Sequence, residues 1–86
     1  MPVVSTGVTV GTSAVQIAGP SVKPKYVYVQ NGTDGTLVHV GGSNVTASNG
    51  ILASTTNTTV FQLNADDALF AISDTVATVV KVVEVS

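Results

Sequence analysis

The chain carries one imidazole, His39, and no cysteine, so the side-chain chemistry open to it is narrow. His39 lies within Leu37-Val38-His39-Val40, where strand alternation points it away from Val38 and Val40. Acid–base or nucleophilic catalysis needs such a group within hydrogen-bond reach of a nucleophile and an orienting acid. Serines and five acidic residues are present, but no nucleophile-elbow motif singles one out. His39 therefore reads as a strand-face or interface residue. Asp66-Asp67 is a fragment of what a calcium site requires, because that cation takes about six to eight oxygen ligands. A turn whose carboxylates cap backbone amides explains the pair more simply. Gly41-Gly42-Ser43 lacks the Lys-Ser/Thr and the following helix of a phosphate loop. No catalytic, cofactor or metal residue is expected, and the chain does not read as an enzyme.

The aromatic residues are the better candidates. Tyr26 and Tyr28 alternate along Tyr26-Val27-Tyr28-Val29-Gln30 and so share one strand face. Such a pair could stack on a sugar ring, but alternate strand aromatics more often pack across strands or anchor interfaces. With His39, Phe61 and Phe70 they form the set of candidate protein-interface residues, since interfaces favour aromatics. Glycosylation sequons at Asn31, Asn44 and Asn57 read as accidents of a Thr-rich chain, and Asn31 belongs to an Asn-Gly turn.

The elements that hold these residues read as β throughout. Val8–Val10, Ala14–Ala18, Tyr26–Gln30, Leu37–Val40, Ile51–Ala53, Thr59–Leu63, Ala68–Ile72 and Ala77–Val85 are the expected strands. Gly, Pro and Asn punctuate them, β-branched residues dominate, and no 3.6-residue apolar stripe emerges. Pro24 belongs on an edge or at a strand start. Asn31-Gly32-Thr33-Asp34-Gly35 offers two turn dipeptides between apolar runs, which predicts a hairpin returning through Leu37–Val40. Asn44-Val45-Thr46 fits a short strand or a loop. The expected fold is a single all-β domain over residues 1–86. It is a small antiparallel sandwich or barrel, jelly-roll-like, of seven or eight short strands. Residues 1–6 are expected as a flexible N-terminal arm, either disordered or ordering on docking.

Composition turns this into a statement about surroundings. Only 9% of the 86 residues are charged, against roughly 25% in an ordinary soluble domain. Lys23, Lys25 and Lys81 face Asp34, Asp66, Asp67, Asp74 and Glu84, for a net charge of −2. Nucleic acid would demand a basic stripe, and no apolar run approaches the ~20 residues of a spanning helix. The first residues show neither a basic n-region nor an apolar h-region, which predicts synthesis in a host cytoplasm. A domain this small buries only about 60–65% of its unfolded surface. Disulfides and metals being unavailable, oligomerisation or docking on a larger body is expected to supply the rest.

Three segments carry a resemblance: Tyr26-Val27-Tyr28-Val29-Gln30-Asn31, Val38-His39-Val40-Gly41-Gly42-Ser43-Asn44-Val45-Thr46 and Asp67-Ala68-Leu69-Phe70-Ala71-Ile72-Ser73. In that order they resemble the small β-sandwich virion proteins of tailed bacteriophages, among them capsid decoration (cement) proteins and related accessory proteins. The resemblance spans roughly Gly11 to Val85, and departs at His39, where an aromatic such as Tyr is the expected residue. It implies a structural protein on the capsid surface of a virion. Its partner would be the major capsid protein or another virion protein, and it would be a homo-oligomer, a trimer by preference. A head-fibre base, a tail accessory protein and a head–tail connector subunit are the neighbouring alternatives. A carbohydrate-binding module using Tyr26 and Tyr28 is the alternative of another class.

Overall fold

The computed structural model describes residues 3–33, 35–75 and 78–85. Eight strands follow one another: β1 (Val3–Val10), β2 (Val15–Ala18), β3 (Lys25–Asn31), β4 (Val38–Gly41), β5 (Ile51–Ala53), β6 (Thr59–Leu63), β7 (Leu69–Ser73) and β8 (Thr78–Val85). Among the described residues there is no helix. β1 pairs with β8, β2 with β7, β3 with β6 and β4 with β5, all antiparallel. The chain is thus one long folded ribbon. Pairing of β3 with β8 and of β4 with β7 rolls that ribbon into two sheets, ordered β1-β8-β3-β6 and β2-β7-β4-β5. That order is the eight-stranded jelly roll, the narrower form of the expected sandwich.

Period-two alternation decides what is buried. Val27 and Val29 of β3, Val38 and Val40 of β4, and Val80 and Val82 of β8 point between the sheets and are fully buried, together with Val10. Ile17, Ala18, Ala53, Leu63, Leu69 and Ala71 complete the core, with Phe61 and Val8 packed at its margin. A core built of valines suits closely spaced sheets, because a short branched side chain packs well on a pleated surface with little rotamer entropy to lose. Buried polar groups are few and paired. Ser73 Oγ and Thr78 Oγ1 lie 2.8 Å apart, and no buried side-chain polar atom among the described residues lacks a partner. At one end of the sandwich the inward-facing Lys25 and Glu84 form an ion pair.

Two expectations are corrected. The predicted hairpin between Tyr26–Gln30 and Leu37–Val40 does not form, because β3 and β4 belong to different sheets. The Asn-Gly dipeptide begins a crossing between layers instead of a two-residue reversal. Asn31 Oδ1 accepts from the Thr33 amide (3.0 Å) and Asn31 Nδ2 donates to the Thr36 carbonyl (3.0 Å), while the Asn31 and Gly32 amides donate to Ser54 and Val79. Asp34, part of the second turn dipeptide, lies outside the described residues. The expected N-terminal arm is also replaced by structure: Val3–Thr6 continue β1, with Val3 opposite Val85 and Thr6 opposite Val82. Residues 1 and 2, like Ala77 of the expected last strand, lie outside the described residues. Among the described residues the only pairing of consecutive strands is β4 with β5, and Asn44–Thr46 are loop between them.

Candidate functional site

Strand parity sorts the five candidate residues onto three surfaces. Tyr26 and Tyr28 point outward from the β1-β8-β3-β6 sheet and are 49% and 38% exposed. Phe61 has the opposite parity on its strand and packs against the core. His39 and Phe70 face outward from the other sheet, both half-buried. The tyrosines share one outer face, and His39 and Phe70, diagonal to each other on the paired strands β4 and β7, share the other.

The outer face around them is apolar in rows. Val85 of β8 lies opposite both Tyr26 and Val3, and Val83 lies opposite both Tyr28 and Ser5. Val60 of β6 flanks Tyr28 on its other side. One row further, Lys81 lies between Gly7 and Gln30, and it is the single charged side chain that the register places on this face among the described residues. Glu84, the other charged residue of β8, has the inward parity and is engaged with Lys25. Tyr28, Gln30, Thr58, Lys81, Val83 and Val85 line an open trough of roughly 450 Å³. Gln30 is held in place by its amide nitrogen, which donates one of its two hydrogens to the Thr55 carbonyl (2.7 Å). Val79, Val83 and Val85 escaped the sequence reading, although β8 carries the signal: valines occur at both parities of Thr78–Val85, and a strand apolar on both faces is covered twice or exposed once.

The other sheet treats its outer face differently. Phe70 lies beside Gln16 and Gly41, and Ile72 beside His39, which is in turn opposite Leu52. The β4–β5 loop folds over this surface and plants Val45, only 4% exposed, outside the main core. The absence of side chains at Gly41 and Gly50 makes room for it: a Cβ on Gly41 would lie 3.2 Å from Val45 Cγ2. One on Gly50 would lie 2.7 Å from that atom and 2.8 Å from His39 Cβ. Gly50→Ala is accordingly expected to lift the loop and lower stability by about 1–3 kcal/mol, the usual cost of overpacking. Thermal unfolding, with amide exchange at Val45 and His39, reads both effects.

The acidic turn is structural. Asp67 Oδ2 accepts from the Asn64 amide (3.1 Å), and Asp66 adopts a left-handed φ of 68°, a conformation Asp tolerates in turns. Asp74 Oδ1 likewise accepts from the Leu37 amide (2.9 Å). Among the described residues no three His, Cys, Asp or Glu side chains lie close enough to hold a metal ion. No family model matches the chain, and neither the curated proteins nor the solved structures contain a significant match to it.

Proposed function

We propose that the protein is a structural component of a phage virion, a capsid decoration protein whose β1-β8-β3-β6 outer face docks on the major capsid protein and reinforces the shell. The observation that carries this reading is the contrast between the two outer faces. One sheet covers the part of its own around Gly41 and His39 with the Val45 loop, leaving Leu52 exposed beside it, whereas the sheet bearing Tyr26, Tyr28, Val83 and Val85 has no such cover among the described residues. An exposed apolar face studded with tyrosines and nearly empty of charge is the surface a protein interface selects. Repetition over many shell sites would let modest contacts hold firmly. The jelly roll is common to viral capsid and lectin domains, so the fold is compatible with this role and with the sugar-binding alternative, and decides between them only through the site.

The test is occupancy on the particle. Cryo-electron microscopy is expected to find the chain in hundreds of copies, with its tyrosine face against the shell. Six or twelve copies would assign it to a connector or tail instead. Tyr26→Ser with Tyr28→Ser is expected to reduce binding to shells by about tenfold or more while the chain stays folded with a modestly lower melting temperature, because both rings lie outside the core and are partly exposed. Glycan binding that is lost in Tyr28→Ala would favour the sugar-binding module, for which the trough beside Tyr28 offers a platform.

A further inference from the structure

β1 is an open edge of the fold, and its openness is of a kind that an added strand can satisfy. It forms one edge of its sheet and pairs along its whole length with β8. On its other side no backbone hydrogen bond reaches Val3–Val10 among the described residues. Val3 and Val4 lie on opposite faces yet are 63% and 50% exposed, so the first half of the strand overhangs the second sheet and is bare above, below and along its edge. The sequence VVSTGVTV contains no charge and no proline, two of the devices that ordinarily protect an edge. The other edges are less suited to pairing. β5 has three residues, β2 has four with a register shift between Gln16 and Ala18, and β6 has five.

We propose that β1 is a self-association edge, at which two copies of the chain join antiparallel, β1 to β1, about a two-fold axis perpendicular to the sheet. Three observations select a second copy as the occupant. An open row of amides and carbonyls is complementary to an extended strand, and an identical eight-residue strand matches it in length. The absence of charge on β1 means that its copy meets no repulsion. Symmetry then preserves parity: residues directly opposite each other share a face, so the axis must pass through a residue, Thr6 or Gly7, if most of the strand is to pair. The outer faces of the two copies consequently merge into one eight-stranded apolar surface. A two-fold edge also closes on itself, whereas joining β1 to the β6 edge of the next copy would run on into a filament or ring. This inference does not depend on what the outer face binds, and it gives a two-chain unit in place of the trimer that the phage resemblance implies.

Because the chain has no cysteine, single cysteines report the pairing directly. At the axis a residue faces its own copy with Cα atoms about 4.5–5.5 Å apart, within disulfide range. Two residues further along the strand the separation is too large. Under mild oxidation either Thr6→Cys or Gly7→Cys, but not both, is expected to give a linked dimer in high yield, and Ser43→Cys on the opposite sheet's loop is not. Gly7 can accept the change, since the nearest atom to an added Cβ is Val79 Cγ1 at 3.8 Å. Light scattering of the native chain is expected to give twice the 8.6 kDa chain mass. Val4→Lys with Thr6→Lys is expected to return a folded, single-chain species by placing like charges across the axis. The proposal fails if the native chain stays at single-chain mass up to about 1 mM, where association is too weak to matter. It fails equally if the native chain adopts a three-chain mass, if neither cysteine links, or if the dimer survives the two lysines.

Discussion

Gly19→Ala is expected to lower the stability of the fold by about 2–5 kcal/mol, the largest loss from a methyl group added at any of its eight glycines. Gly19 has a φ of +72°, which costs a residue with a Cβ about 1–2 kcal/mol. The added carbon would also stand 2.2 Å from the Asp67 carbonyl oxygen and 3.1 Å from Ala68 Cα. Both obstacles are backbone, so no rotamer change relieves them, and overpacking of this kind adds about 1–3 kcal/mol. The surroundings are tied down. The Asp66 amide donates to the Ser21 carbonyl at 2.8 Å, the Asp67 amide donates to Asn64, and Gln16 Nε2 donates to the Gly19 carbonyl. Moving the β2–β3 turn away would therefore break the clamp it forms with the β6–β7 turn. A domain of this length has a total stability of only about 4–13 kcal/mol. Urea unfolding followed by circular dichroism should place the midpoint far below that of the native chain. An unchanged midpoint would mean that the two turns are not clamped together.

Asn31→Ala is expected to cost about 2–4 kcal/mol, for a different reason. The side chain is 2% exposed and connects the Thr33 amide to the Thr36 carbonyl across the crossing between sheets. Alanine leaves a part-buried donor and a part-buried acceptor without that partner, each worth about 1–2 kcal/mol, the lower end for a group not fully removed from water. The damage should be local first. Amide exchange at Gly32, whose amide donates to Val79 at 2.9 Å, should accelerate before the core strands open. The functional consequence follows from position. Asn31 ends β3, the strand whose alternation turns Tyr26 and Tyr28 outward and Val27 and Val29 inward, so loosening the crossing is expected to weaken docking through the tyrosine face as well.

The Asn31 segment also shows where local reading stops. An Asn-Gly dipeptide between apolar runs specifies a change of chain direction through its tolerance of left-handed backbone, but the same chemistry serves a hairpin or a passage to the other layer. Which one forms depends on whether β3 finds a better neighbour. Here β8 and β6 occupy both of its sides, strands far away in sequence that no window around Asn31 contains. The missed overhang of β1 has the same origin. Val3-Val4-Ser5-Thr6 shows no alternation because no sheet lies beneath it, and its order comes entirely from pairing with the last residues of the chain.

The candidate site was legible in part. That Tyr26 and Tyr28 share a face follows from period-two geometry alone. That Phe61 belongs with the core while Phe70 and His39 belong to the opposite outer surface required knowing which parity of each strand faces inward, and an alternating strand such as Thr59–Leu63 does not declare it.

By itself the sequence determined that this is a β protein, where most strands lie and which residues alternate together, because backbone sterics and pleating act over a few residues. Its scarcity of charge also determined that some apolar surface would remain uncovered. Only the tertiary structure decided which surface that is. The pairing of β1 with β8 and of β3 with β8 joins the two ends and the middle of the chain into one sheet, and the β4–β5 loop folds over part of the other. Which face is left bare is a property of long-range strand pairing, and no local propensity encodes it.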